Sequence, residues 1–576
     1  MRRFPPHTLR DYAVLADGER GVVVGPRGEF AWMCAPRWND DAVFASLIGG
    51  GGVYAVSPVG ERYVWGGHYE EGTLIWRSRW ITTAGVVECR EALARPADPS
   101  TAVLLREVVG VDGTNRVRVV LDPQAGFGAH PLSELDCHDG VWEGRVGPLW
   151  MRCTGLAAAR PDRGGLVFDL TLAEGARRHL VVEISTDRPS GPPPDPEQLW
   201  SRTEQSWHED VPDATGLWAR RDVRHAFAVL HGMSASSGAL VAATTTSLPE
   251  RAEAGRNYDY RYAWIRDQAM VGQAAAAVGP SRLLDNAVGF VGARLREDGS
   301  RLRPAYTVTG DPVPSERTLS LPGYPGGSAR VGNGAGEQFQ LDAFGEALLL
   351  FAAAARHGAL SREDWKAVEI AVRAVADCWQ RPDAGIWELD DQRWAHSRLI
   401  TASGVHAVAL LAPASQRRDW QQLGDDLVRS VDDDCLHPSG RWQRAPDDPR
   451  PDAALLIPIF RSTSLAADDP RVRRTVEAIL DDLTDEEFCY RFRHGDTPLA
   501  SAEGAFVLCG FHMSMALEKL GERTLATRWF ERNRAACGTS GLFTEEYDVG
   551  QRQQRGNLPQ AFVHGALIEA SARLSR

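Results

Sequence analysis

The sequence predicts a two-part fold: an N-terminal β-sandwich followed by an all-α toroid of six inner and six outer helices. Three observations predict it. The chain has 576 residues, more than one ordinary hydrophobic core accommodates. Its first third is built from short Val-, Thr- and Trp-rich segments cut by Gly, Pro and Asp. Beyond about Trp218 that rhythm gives way to apolar residues at helical spacing.

The elements follow in order. Residues 21–24, 102–109, 117–121 and 180–184 read as strands, and Arg118 alternating with valines has the period of a half-buried one. Many short strands with turn signals suggest a sandwich, assigned to residues 1–190. From Thr186 to Glu197 the proline density forbids helix and sheet interiors and favours a stiff spacer. A linker is therefore expected at 191–215, carrying an amphipathic helix near Glu197–Asp210. The toroid is assigned to 216–576, with helices near 219–235, 266–279, 281–298, 337–357, 361–379, 396–412, 416–431, 451–459, 470–483, 501–520, 522–537 and 558–575. In the fourth, Phe339, Leu341, Phe344, Leu348 and Phe351 space out an apolar face. No fixed-length repeat is visible, which disfavours a solenoid.

Composition narrows the function. A net charge of −13 argues against a nucleic-acid partner and against an anionic membrane surface, and is compatible with a neutral substrate. No run reaches the length of a membrane span. Nine scattered cysteines without a CxxC pair suggest neither a zinc site nor a disulfide framework, but reduced, mostly buried thiols. The basic start Met1-Arg2-Arg3 has no apolar segment behind it, so a cytoplasmic location is expected. Eighteen tryptophans mostly reflect core packing, yet indole faces also stack on sugar rings.

Two carboxylate turns carry the chemistry. One is Gly385-Ile386-Trp387-Glu388; the other is Thr544-Glu545-Glu546-Tyr547-Asp548. A carboxyl beside an indole is partly withdrawn from water, which favours the protonated form a general acid needs. Taken alone, a Trp-Glu pair is more often a solvated loop tip. Adjacent acids are usually a surface turn; otherwise one enters a pocket while its neighbour diverges from it. The run Arg256–Asp267 interleaves four aromatics with three Arg and two Asp. It is either a buried ion-pair network or a wall that hydrogen-bonds sugar hydroxyls. His396, His512 and His564 lie on apolar helices as core residues, and no metal triad is visible.

These motifs resemble glycoside hydrolase family 15 in its bacterial form, which contains glucoamylases, glucodextranases and trehalases. The resemblance runs along nearly the whole chain. It rests on residues 11–15 and 32–37, on Thr244–Glu250 with Arg256–Asp267, on Arg330–Gln338 with Asp342–Glu346, on Glu503–Phe506 and on Glu545–Phe562. It implies a β-supersandwich joined to an (α/α)6 barrel. It implies Glu388 as general acid and Glu545 as general base, with Arg266 and Asp267 holding the hydroxyls of a terminal glucose. It implies Arg491 as a further sugar contact, with Arg493 the rival choice, and a pocket lined by Trp264, Trp387 and Phe506. No cofactor is required by this mechanism. The family pattern is broken at Asp390, Arg398, Ala402 and Ala263, changes expected on the acceptor side.

The expected activity is inverting, exo-acting hydrolysis of an α-glucoside, releasing β-glucose from an α-glucan or oligosaccharide. Hydrolysis of the disaccharide α,α-trehalose is the first alternative. A phosphorylase would need no base, so Glu545 argues against it. A catalytically impaired sugar-binding homologue is a further alternative, favoured by the broken positions and opposed by the intact carboxylates.

Overall fold

A computed structural model describes residues 4–60, 62–162, 164–495 and 497–576. The basic start Met1–Arg3 lies outside the described residues. The N-terminal part is two antiparallel sheets, one of eight strands and one of nine, running from Ala13–Ala16 to Arg177–Ser185. Strand Asn115–Asp122 shows the predicted alternation. Val117, Val119 and Leu121 are buried between the sheets, whereas Arg118 faces outward and forks onto Asp169 of the next strand at 2.6 and 2.8 Å. The sandwich core also encloses one ion pair, Arg106–Glu91 at 2.9 Å, with the guanidinium 3.8 and 4.1 Å from the ring centroids of Phe30 and Tyr54. Backbone carbonyls of Tyr54 and Gly28 take up donors of both terminal nitrogens, which offsets part of the cost of burying such a pair.

The linker carries helix α1 (Pro196–Asp210). Asp195 caps it by accepting from Glu197 N–H, and Pro196 occupies the first turn, where its missing N–H costs nothing. Trp200 and Trp207 anchor it beneath the guanidinium groups of Arg90 and Arg95, at 4.3 and 3.9 Å.

Twelve further α-helices follow among the described residues. They are α2 (Arg220–Gly232), α3 (Ile265–Val278), α4 (Arg282–Asp298), α5 (Leu341–Arg356), α6 (Arg362–Cys378), α7 (Ala395–Ala409), α8 (Ala414–Asp434), α9 (Leu456–Arg461), α10 (Pro470–Leu483), α11 (Val507–Lys519), α12 (Arg523–Arg534) and α13 (Ala561–Leu574). The odd-numbered helices from α3 to α13 pack in succession, and α13 returns to α3, closing an inner ring. The even-numbered helices form the outer ring, giving an (α/α)6 barrel. Sequence explains the sorting. Helix α5 is buried at every position from Leu341 to Ala354, whereas α6 buries a stripe around Ala367, Val368, Ala371, Val372 and Val375.

Several inner helices start later than their periodicity predicts. Helix α11 begins at Val507, because Ala505–Phe506 pairs as a strand with Glu546–Asp548. Helix α5 begins at Leu341, after a short 3-10 turn at Gly334–Glu337. Apolar residues such as Phe506 therefore serve a cavity at the mouth of the barrel, not a helix face.

Sandwich and barrel share one hydrophobic cluster that includes Trp32, Trp38 and Leu47 together with the inner helices. The Trp32 indole donates to the carbonyl of Thr244 at 2.9 Å. Arg261, buried, binds Asp259 through both carboxylate oxygens and donates to the carbonyl of Asp40 at 2.8 Å. No described helix is long and apolar enough to cross a membrane.

Candidate active site

Every inner helix meets the site through its N-terminal end. Arg266 and Asp267 lie in the first turn of α3, Gln340 just before α5 and Glu388 in the loop before α7. Asp452 precedes α9, Phe506 is the residue before α11, and Glu545 and Gln560 come before α13. The positive ends of six helix dipoles therefore converge on one mouth, which favours an acidic site there. A cavity of about 360 Å³ opens at this mouth. Glu388, Glu545, Arg266, Asp267, Trp264, Trp387, Arg491 and Phe506, the eight residues singled out in the sequence, all line it.

Glu388 is positioned by a tight loop. One oxygen of Asp383 accepts from the N–H groups of Leu341 and Gly385, each at 3.1 Å, and from Ser397 Oγ at 2.9 Å. That carboxylate ties the loop to both α5 and α7. Glu388 itself sits at φ +56°, a conformation disfavoured for a residue with a side chain and a recurrent form of strain at functional sites. Its Oε1 accepts from Trp264 Nε1 at 2.7 Å and from Arg266 and Gln340 at 3.4 Å each. Trp387 points its indole N–H at Asp452 (2.8 Å), and its ring meets Phe506 edge to face at 5.6 Å.

Glu545 sits on the other carboxylate turn, 5% exposed. The N–H of Val507 donates to its carbonyl, and Glu546 next to it pairs with Phe506 and Arg555 in a three-stranded sheet. Successive side chains on a strand alternate. Glu546 consequently turns away and accepts from the N–H of Gly504 at 2.8 Å, while Glu545 enters the cavity. Tyr260 donates its hydroxyl to Glu545 Oε1 at 3.2 Å. Oε2 is buried and receives no protein donor among the described residues.

The Arg256–Asp267 run divides between the two readings open in the sequence. Asp259 and Arg261 form a buried structural pair, whereas Tyr260, Trp264, Arg266 and Asp267 face the cavity. Burial pushes the Asp267 carboxyl up to about 7 against the pull of Arg266, with Glu388 and Asp342 adding to the rise. Arg491 lies 4.2 Å from the Phe506 ring centroid and pairs with Glu503. Burial disfavours the Glu503 anion, yet Arg491 and His494 pull it down to about 2.

Arg493, the rival to Arg491, stays outside this cavity. It binds Asp482 and borders a second cleft of about 650 Å³ that continues outward from Glu388. Asp390 also lines that cleft, with Asp447, Asp448 and Arg450. Arg398 and Ala402 do not. Arg398 is buried between α7 and α8, where it donates to the carbonyls of Ser430 and Arg393 and pairs with Asp434 at 2.8 Å. Ala402, 1% exposed, belongs to the barrel core. Both face away from the mouth because of the side of α7 they occupy: Arg398, in its first turn, points toward α8, and Ala402 packs into the core. Ala263 is likewise buried, in the short strand behind Trp264.

His396, His512 and His564 are core residues, and burial holds His396 down at about 3. Among the described residues no cluster of His, Cys, Asp and Glu could hold a metal. Glu250 was missed as a site residue. It stands at the end of the Thr244–Glu250 run and lines the cavity beside Glu545. Tyr260 was missed as the donor to Glu545; its place four residues before Trp264 in an aromatic run was the available signal.

An (α/α)6 barrel with two carboxylates separately held at one cavity defines a glycoside hydrolase. A model described as Glycosyl hydrolases family 15 matches residues 227–572, more than half of the chain, and the protein belongs to that family. A second, described as Trehalase-like, N-terminal, matches residues 6–159. A trehalase of Mycolicibacterium smegmatis is 29% identical, covering 100% of this chain and 92% of its own. A trehalase of Thermoplasma acidophilum is 25% identical over 96% and 98%. Among solved structures, a bacterial glucoamylase complexed with acarbose superposes with a TM-score of 0.74 at 11% identity, covering 100% of this chain and 95% of that one, a likeness of fold.

Proposed function

We propose that the protein hydrolyses an α-glucosidic bond with inversion, and that α,α-trehalose is its substrate. Glu388 donates a proton to the glycosidic oxygen as the bond to C1 breaks. Glu545 takes a proton from the water that attacks C1 from the opposite face, and β-glucose leaves. Arg266, Asp267 and Arg491 hold hydroxyls of the glucose in the inner cavity, and Trp264, Trp387 and Phe506 wall it. The observation that carries the reading is the division of labour between the carboxylates. Glu388 is gripped by three donors, whereas Glu545 keeps one buried oxygen without any, suited to orienting water. The choice of trehalose is supported by relatives of that name along essentially the whole chain, N-terminal part included.

A second reading, exo-acting hydrolysis of longer α-glucans, is favoured by the wide cleft beyond Glu388, which has room for more than one acceptor sugar. Proton NMR of the anomeric region separates the two. The protein is supplied with trehalose, maltose, isomaltose, maltoheptaose and dextran. Initial β-glucose with trehalose alone supports the first reading, and β-glucose from the glucans supports the second. Initial α-glucose, or no turnover on any of them, overturns both.

A further inference from the structure

Glu503 has no assigned role, yet its side chain is completely buried behind the wall of the cavity and gathers three groups that line it. Its Oε2 meets Arg256 Nη1 at 3.0 Å, His494 Nε2 at 2.9 Å and Arg491 Nη2, and its Oε1 meets Arg491 Nε at 3.2 Å. A carboxylate only accepts, so the imidazole presents Nε2–H to it. Burial opposes the anion, but Arg491 and His494 hold its pKa down at about 2, and Glu503 is charged across the neutral range. Arg256 opens the run that ends at Asp267, whereas Arg491 and His494 follow the short strand Phe488–Cys489. One carboxylate thus joins two distant stretches of the cavity wall.

The contact with Arg491 has a direction. Glu503 meets the guanidinium side-on, through Nε and Nη2 and both of its own oxygens. Such a fork fixes the plane and rotation of the group, as a single point contact does not. The rings of Phe506, Trp387 and Phe492 have their centroids 4.2, 5.5 and 5.6 Å from the guanidinium carbon. Ring faces attract a cation without setting which edge it turns to a ligand. The backbone is held as well, since Ala453 N–H donates to the Arg491 carbonyl at 2.9 Å. Of the five N–H donors of Arg491, the pair on Nη1 has no protein acceptor among the described residues. The side-on fork leaves that end of the group away from Glu503, on a residue that lines the cavity.

We propose that Glu503 is a positioning residue for substrate recognition: it turns the Nη1 end of Arg491 to the hydroxyls of the bound glucose, with Arg256 and His494 pinning the carboxylate. The proposal rests on the reading of Arg491 as a sugar contact. Glu503 itself touches no substrate and exchanges no proton in the reaction.

The test is a double-mutant cycle in kcat/KM per mole of folded protein, with the substrate turned over in the anomeric assay. Arg491→Gln alone is expected to lower kcat/KM roughly 10- to 100-fold, with KM raised. Glu503→Gln is expected to lower it roughly 10-fold or more in the wild-type background, and by less than about threefold in the Arg491→Gln background. Equal factors in both backgrounds, or no loss in the wild-type background, would show a merely structural role. Either overturns the proposal while leaving Arg491 as a sugar contact. Where Glu503→Gln does not fold, Glu503→Asp keeps the charge, draws it back from the guanidinium and takes its place in the cycle under the same outcomes. Near-wild-type kcat/KM in Arg491→Gln would remove Arg491 from the substrate and sink both ideas.

Discussion

Tyr260 and Trp264 meet edge to face with ring centroids 5.6 Å apart, and each holds one of the two carboxylates. Tyr260 donates to Glu545 and Trp264 to Glu388. A five-residue segment of the chain thus spans the cavity mouth and fixes the relative placement of the two carboxylates, which come from loops more than 150 residues apart. Two consequences can be measured directly.

The carboxylates come first. Glu388→Gln and Glu545→Gln are each expected to lower kcat by roughly 10²–10⁴-fold, the range of a lost general acid or base. Circular dichroism should remain that of the wild type. Retention of most of the activity in either variant would refute its assigned role.

Tyr260→Phe removes one hydroxyl and leaves the ring packing in place. A hydrogen bond to a charged group is worth about 1.5–3 kcal/mol, so kcat should fall roughly 10- to 100-fold. Steady-state kinetics check it. A change confined to KM would place the hydroxyl on the substrate instead of the base.

Asp452 ties the wall of the site to the barrel. It accepts from Trp387 Nε1 at 2.8 Å and from Arg444 Nε at 3.1 Å, with both charged side chains 5% exposed. Asp452→Ala takes the nearer carboxylate from a buried guanidinium, leaving it Asp448 at 3.6 Å, and is expected to cost up to about 3 kcal/mol of stability. Urea denaturation measures the loss, and a KM raised under conditions where the variant is folded should accompany it.

Arg398 departs from the family pattern, yet its partners are structural. Arg398→Ala is expected to lower the unfolding midpoint while leaving the ratio of rates on trehalose and maltose unchanged. A changed ratio would return this position to substrate selection.

His231 is one of several buried histidines that weaken the fold in acid. It is 4% exposed, and burial lowers its pKa from 6.5 to about 4, with Asp210 opposing the fall. The folded state thus prefers the neutral ring, and the unfolded chain binds the proton first as pH drops. The stability this preference contributes is complete above about pH 6.5 and is lost progressively down to about pH 4. The loss is on the order of 3 kcal/mol. Relative to wild type, His231→Gln should gain stability as pH falls through that window. Parallel stability curves would show that His231 does not carry the effect.

Much of this protein could be read in the sequence. Periodicity located all twelve barrel helices, and the two carboxylate turns stood out because acids and large aromatics gather where helical patterns break. Periodicity failed at the starts of α5 and α11, where apolar side chains that cover a cavity look the same as those that cover a helix face. Glu250 escaped because an acid at the end of an apolar run has no local mark of function. Glu545, which lines the same cavity, lies far along the chain, and only a closed ring of helices brings the two to one site.

The sequence by itself determined the class of each segment, the two carboxylate turns and the family. These follow from local periodicity, turn chemistry and motif order, all of which are properties of neighbouring residues. Tertiary structure alone decided which of two adjacent glutamates enters the cavity, through strand alternation at Glu545 and Glu546. It alone placed Arg398 and Ala402 away from the cavity, because that depends on which face of α7 meets α8 and the core. It alone brought Glu250 to the cavity that Glu545 enters, since that depends on residues that are neighbours only in the folded chain.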